Sequence, residues 1–82
     1  MTYKVYILQS EKDGHLYIGM TADLQRRLYE HNSGQTRSTA SRRPFRLIHE
    51  EEVENRVAAR LLEKKYKSGS GREFIRQSII PR

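Results

Sequence analysis

From Tyr3 to Gln9 the chain sets Tyr3, Val5 and Ile7 against Lys4, Tyr6 and Leu8, so an extended segment here has apolar surface to bury on both faces. The pattern predicts a central or covered strand. Ser10-Glu11-Lys12-Asp13-Gly14 has the composition and length of a hairpin turn, and His15 to Met20 resumes extended character, with Leu16, Ile18 and Met20 opposing Tyr17 and Gly19. Tyr6 and Tyr17 then fall on neighbouring antiparallel strands. Thr21 or Asp23 can cap a following helix in which Leu24, Leu28 and His31 recur at helical spacing, and Asn32-Ser33-Gly34 supplies its stop. Arg27 and His31 stand one turn apart on one face of it.

Gly34 to Pro44 carries turn-forming and basic residues without apolar periodicity, and reads as a mobile cationic loop. Phe45 to Val53 predicts a third strand. Its apolar pair Leu47-Ile48 and charged run Glu50 to Glu52 leave the register open and favour an edge position. From Glu54 or Asn55 a second helix places Val57, Ala58, Leu61 and Leu62 on one apolar stripe, and Ser68-Gly69-Ser70-Gly71 ends it. Phe74, Ile75, Ile79 and Ile80 predict a short closing helix stopped at Pro81. The order β-β-α-β-α-α implies an α+β fold, a small antiparallel sheet with helices packed on it.

At 82 residues the chain has room for one core and one site, so a single domain over residues 1–82 is expected and multidomain cofactor enzymes are excluded. The absence of cysteine removes thiolate nucleophiles, disulfides and cysteine-ligated zinc. No segment approaches the roughly 20 apolar residues of a membrane span and the start has no basic-then-apolar signal pattern, so a cytoplasmic protein without a membrane partner is expected.

Sixteen Lys and Arg against ten Asp and Glu give a net charge of +6, suited to a polyanionic partner. The excess has an address. Arg37, Arg42, Arg43 and Arg46 are offset by Glu50, Glu51, Glu52 and Glu54, and the surplus lies in residues 55–82, where Lys64 and Lys67 belong to a basic run interrupted only by Glu63 and Glu73. These arginines and lysines are the expected contacts to a phosphate backbone, with binding that weakens steeply with salt. Phosphate contacts carry no sequence information, and no base-reading element is present.

Two tyrosines across a hairpin, an Arg/His pair on the next helix and a carboxylate on a later one suffice for phosphodiester hydrolysis. Tyr or His can take a proton from water, Arg can neutralise charge growing on phosphate oxygens, and a carboxylate can hold a divalent metal. Periodicity alone gives each residue a plainer role. Tyr6 and Tyr17 read as strand packing, His31 as a core-edge histidine, Arg27 as a solvated helix residue, and Glu63 as a solvated partner of Lys67 at i+4.

The arrangement as a whole resembles the GIY-YIG endonuclease superfamily, in the form of its stand-alone bacterial members, over nearly the full chain. Leu16-Tyr17-Ile18-Gly19 followed by Arg27 and His31 is similar to the second half-motif with its spacing, while Lys4-Val5-Tyr6-Ile7-Leu8 resembles the first with Gly-Ile-Tyr changed to Lys-Val-Tyr. The resemblance implies a three-stranded antiparallel sheet flanked by helices and metal-dependent DNA cleavage, with structure-specific or repair and processing roles open to a bare core. It places Tyr6 and Tyr17 on the two family tyrosines, one as base and the other as a phosphate contact. Arg27 falls at the position that stabilises the transition state, and His31 at that of a second proton-transfer or phosphate-binding group. Ala59 to Lys67 resembles the later helix that puts the metal-binding glutamate at Glu63, with one Mg2+ or Mn2+ ion expected; Glu73 is the competing carboxylate. The asparagine many members carry beyond the glutamate has no counterpart after Asn55. That departure, with the absence of an attached targeting domain, keeps open a nucleic-acid-binding module that turns over weakly or not at all, or a nuclease targeted by a protein partner. An interaction domain with incidental positive charge is the third reading.

Overall fold

The computed structural model describes residues 1–80, so the stop expected at Pro81 lies outside the described residues. Strands β1 (Tyr3–Ser10), β2 (Leu16–Thr21) and β3 (Phe45–Val53) form one antiparallel sheet in the order β2-β1-β3. With helices α1 (Leu24–Asn32), α2 (Arg56–Lys67) and α3 (Gly69–Phe74), the molecule has the expected α+β architecture, with β1 central and β3 at an edge. No helix among the described residues is long and apolar enough to cross a membrane.

Both faces of β1 are covered, as its two-sided apolar pattern requires. Val5 and Ile7 pack with Leu16 and Ile18 of β2 against Ala59 and Tyr66 of α2 and Ile75 beyond α3. On the other face Tyr6 and Leu8 pack with Phe45 of β3 and with Tyr17, Leu24 and Leu28. The β1–β2 turn closes through paired backbone bonds between Ser10 and its neighbours, Ser10 N to His15 O and Gly14 N to Ser10 O, both 2.9 Å. Gly14 takes the left-handed φ of +78° that this turn needs.

The ambiguous register of β3 resolves into a bulge. His49 pairs with Ile7 and Leu47 with Leu8, leaving Ile48 as the additional residue. Leu47 therefore joins the α1-side core while Ile48 packs on the α2 side. Beyond the bulge the charged run alternates too, with Glu50 taking a 2.8 Å bond from Lys4 Nζ and Glu51 accepting from Tyr66 Oη and bonding His49 Nε2.

Three expectations need correction. Of the expected stripe Val57, Ala58, Leu61 and Leu62, only Leu62 packs against the core: Val57 is 71% and Leu61 65% exposed, whereas Ala59 is fully buried and Tyr66 packs beside Leu62. The helix is turned about a third of a revolution from the most apolar orientation, with small Ala59 against the sheet and Tyr66 filling the space beyond. Second, Gly34 to Pro44 is not featureless. It contains a 3-10 turn at Ala40–Arg42 and a buried threonine, Thr39, and it is tied to β1 by Ser10 Oγ donating to Arg42 O at 2.6 Å. Third, Ser68 does end α2 but also starts α3, its hydroxyl accepting from Gly71 N; of the apolar residues expected in one closing helix, Phe74 ends α3, Ile75 and Ile79 lie in a π-helical turn over Ile75–Ile79, and Ile80 follows it.

Candidate functional site

Asp23, not Thr21, caps α1: its carboxylate accepts from Arg26 N at 3.1 Å, and Thr21 instead braces Asp23 through two short-range bonds. This fixes the start of the helix, and Leu24 and Leu28 then lie against the sheet, bringing Arg27 and His31 over β1 and β2. At the far end the Asn32 amide clasps β3, donating to Phe45 O at 3.2 Å and accepting from Phe45 N at 2.7 Å.

His31 is fully buried and is the hub of the cluster. Its Nε2 is 3.1 Å from Tyr6 Oη and its Nδ1 is 2.8 Å from Thr39 Oγ1. The ring stands edge-on to Tyr17 at 4.9 Å, and to Tyr6 and Phe45 at 6.0 Å each. Burial, and then the positive charge of Arg27, hold the imidazole below its ordinary value against the weaker pull of Glu30, so at neutral pH it rests uncharged with a free lone pair to share.

Register explains how Tyr6 reaches it. Tyr6 stands opposite Gly19 on β2, and a Cβ at Gly19 would overlap the phenol oxygen, so the ring occupies the room that glycine leaves. Tyr17 is opposite Leu8, one pair along on the same face. Burial pushes the Tyr6 hydroxyl above its ordinary value, against the smaller contrary effect of the Arg27 guanidinium, so it keeps its proton at neutral pH. Arg27 stays above its own ordinary value. Burial works against its charge, but the Tyr6 hydroxyl and a 3.0 Å ion pair with Glu30 outweigh that cost. A shallow groove of about 300 Å³, lined by Thr21, Asp23, Arg26, Arg27 and Glu30, opens beside the guanidinium.

Four of the five expected residues therefore converge: Tyr6, Tyr17, Arg27 and His31. Glu63 comes from α2, on the other face of the sheet, and lies within electrostatic reach of the Tyr6 phenol. It is only 22% exposed because it shares the inward side of α2 with Ala59 and Tyr66, and its ion-pair partner is Lys67 at 3.6 Å. Among the described residues no three His, Asp or Glu side chains cluster as a metal cage. A lone carboxylate suits a hard, mostly hydrated cation that takes its other oxygens from water and phosphate, which is the magnesium pattern. The rival carboxylate Glu73 is exposed on α3 and accepts from Gln77 at 2.7 Å.

Of the basic residues, Arg42 pairs with Asp13 at 3.4 Å, Arg46 donates to Gln9 at 3.4 Å and the Arg43 guanidinium lies against Gly34, while Arg37 and Lys64 are exposed. Two residues of the cluster carry no signal in the periodicity: Thr39, in a stretch without apolar pattern, bonds His31, and Gly19, within the Tyr-Ile-Gly tripeptide, makes room for the Tyr6 ring. A separate cavity of about 390 Å³, bordered by Glu51, Leu62, Tyr66 and Phe74, includes none of the five site residues.

The three-stranded sheet with its flanking helices is the fold of a nuclease family. Residues 2–75 match the GIY-YIG catalytic domain, and the chain belongs to that family. It is similar to a UPF0213 protein of Streptococcus pneumoniae serotype 4, 36% identical over 95% of this chain and 84% of the relative. A UPF0213 protein of Syntrophus aciditrophicus is 47% identical over 62% of this chain and 60% of its own length. The solution NMR structure of the UPF0213 protein BH0048 from Bacillus halodurans aligns with a TM-score of 0.60 at 33% identity, covering 99% of this chain and 89% of that one.

Proposed function

We propose that this protein is a divalent-metal-dependent endonuclease that hydrolyses DNA phosphodiester bonds, with Tyr6 as the proton acceptor for the attacking water. The observation that carries the reading is the 3.1 Å contact between the Tyr6 hydroxyl and Nε2 of the buried His31, with burial pushing the phenol up and the imidazole down. A phenol that keeps its proton is a poor base by itself. Backed by an imidazole acceptor, it takes the water proton on Oη while passing its own to Nε2, so no free phenolate has to form beforehand. The nucleophile then closes on phosphorus as the bond to the leaving oxygen breaks, and Arg27 meets the charge on the non-bridging oxygens. Tyr17, half-buried beside His31, holds the ring and offers its hydroxyl to the phosphate. Glu63 would hold the cation. A bound Mg2+ or Mn2+ supplies charge neutralisation and stabilises the leaving oxygen. Arg37, Arg42, Arg43, Arg46, Lys64 and Lys67 serve backbone phosphates, so affinity falls with salt and is indifferent to sequence.

The test is nicking of plasmid, branched and single-stranded DNA with Mg2+ or Mn2+. Tyr6→Phe, Arg27→Ala and Glu63→Ala should each reduce cleavage by about 100-fold or more with the circular dichroism spectrum unchanged. Cleavage that survives all three substitutions belongs to a contaminant and overturns the reading. The Glu63–Lys67 pair favours one alternative, a binding module that has lost turnover. It predicts salt-dependent DNA retention by the unaltered protein with no metal-dependent product.

A further inference from the structure

His31 can carry its proton on either nitrogen, and only one choice lets it accept from Tyr6. Two fixed groups bracket the chain of hydrogen bonds that runs through it. At the inner end the hydroxyl of Thr39, a residue 2% exposed, lies 3.3 Å from the Thr36 carbonyl, which can only accept. The Thr39 amide already donates to that carbonyl at 3.1 Å; a hydroxyl proton directed to it as a second bond leaves the Thr39 oxygen to accept from His31 Nδ1–H at 2.8 Å. At the outer end the positive charge of Arg27 acts on the Tyr6 hydroxyl, and a guanidinium can only donate. The Tyr6 proton is thereby turned away from Arg27 and toward Nε2, 3.1 Å off. With an acceptor-only carbonyl at one end and a donor-only guanidinium at the other, one direction uses every proton in the chain: Tyr6 O–H to Nε2, Nδ1–H to Thr39, Thr39 O–H to Thr36 O.

We propose that Thr39 is a positioning residue that holds His31 as the Nδ1–H tautomer, and so keeps Nε2 open to the Tyr6 proton. Its consequence for turnover rests on the nuclease reading; the tautomer does not. Thr39 thus gives the 34–44 segment a chemical task, since the bond from Ser10 to Arg42 O and the 3-10 turn after Thr39 hold its hydroxyl over the imidazole. The proton received at Nε2 makes the ring an imidazolium whose Nδ1–H already has its acceptor, so the transfer requires no rearrangement.

The experiment is a long-range proton–nitrogen correlation spectrum of protein carrying 15N-histidine, recorded at pH 8. His31 is assigned by removing the other two signals with His15→Gln and His49→Gln. A protonated Nδ1 and unprotonated Nε2 are expected in the unaltered chain, retained in Thr39→Ser and lost to the other tautomer or a mixture in Thr39→Val. An Nε2–H tautomer in the unaltered chain overturns the proposal, and this measurement needs no variant at position 39 to fold. So does an unchanged Nδ1–H tautomer in a folded Thr39→Val. In the active enzyme Thr39→Val should lower kcat by about 10- to 100-fold with KM unchanged, and Thr39→Ser should restore it. Protein with the Nδ1–H tautomer and no cleavage of any DNA keeps Thr39 in its role and defeats the nuclease reading instead.

Discussion

Gly19 and Tyr6 are complementary across the β1–β2 pair: the phenol lies where a side chain at position 19 would have to be. Gly19→Ala should therefore act on chemistry through Tyr6, pushing its hydroxyl off His31. Overpacking of this kind costs about 1–3 kcal/mol, read as a lower denaturant midpoint, together with loss of cleavage. Gly71→Ala, which would meet the Lys65 carbonyl and the Tyr66 backbone where α2 turns into α3, should destabilise comparably and leave cleavage per folded molecule unchanged. His31 gives the cluster a pH signature as well. Its value is lowered by burial and by Arg27, with Glu30 opposing, so the unfolded chain binds the proton more readily. The stability it contributes is complete above the ordinary value of 6.5 and is lost as pH falls through the lower folded value. In a urea midpoint measured from pH 8 down to pH 5, His31→Gln should remove part of the decline.

At the scale of elements, the orientation of α2 is what brings Glu63 inward. The apolar stripe Val57/Leu61 suggested one buried face; the helix buries the opposite one, where Ala59 and Tyr66 meet the sheet. Apolar content and close approach compete at such a helix. Two aliphatic side chains gained from water would each contribute about 1.5–3 kcal/mol, but only the Ala59 side lets the backbone come near β1 and β2 while Tyr66 finds Glu51 for its hydroxyl. Leu61→Gln should therefore shift the denaturation midpoint by less than about 0.5 kcal/mol, while Ala59→Leu should cost about 1–3 kcal/mol. Equal effects of the two would mean that the helix sits the other way round. The β3 bulge is a second decision of this kind, since it sends the adjacent residues Leu47 and Ile48 into different cores.

Across the whole molecule, the sheet separates two polar networks, Tyr6–His31–Thr39 on the α1 side and His49–Glu51–Tyr66 on the α2 side. The second straps edge strand β3 to α2 and adds pH dependence at both ends of the range. Hydrogen bonds from His49 and then Tyr66 hold the Glu51 carboxyl below its ordinary 4.5, so its contribution is present above that value and lost as pH falls through the folded one. Burial, and then Glu51, push the Tyr66 phenol up to about 12, so its contribution is intact below the ordinary 10 and lost as pH rises toward 12. In thermal melts Tyr66→Phe should flatten the loss of Tm between pH 10 and pH 12 and leave the His31-dependent change below pH 6.5 in place.

The sequence by itself determined the element order, the central position of β1, the edge position of β3 and the pairing of Arg27 with His31 one turn apart, because these follow from local periodicity, capping and turn chemistry along consecutive residues. It also marked Tyr6, Tyr17, Arg27, His31 and Glu63 as a set, through a motif in which plain periodicity would have made each a packing or surface residue. Tertiary structure alone decided that α2 turns its alanine rather than its leucine to the sheet, that Gly19 makes room for the Tyr6 ring, and that Thr39 closes on His31. Each of these depends on shape and hydrogen-bond partners brought together from distant parts of the chain, and those partners exist only after the two sides of the sheet have been packed.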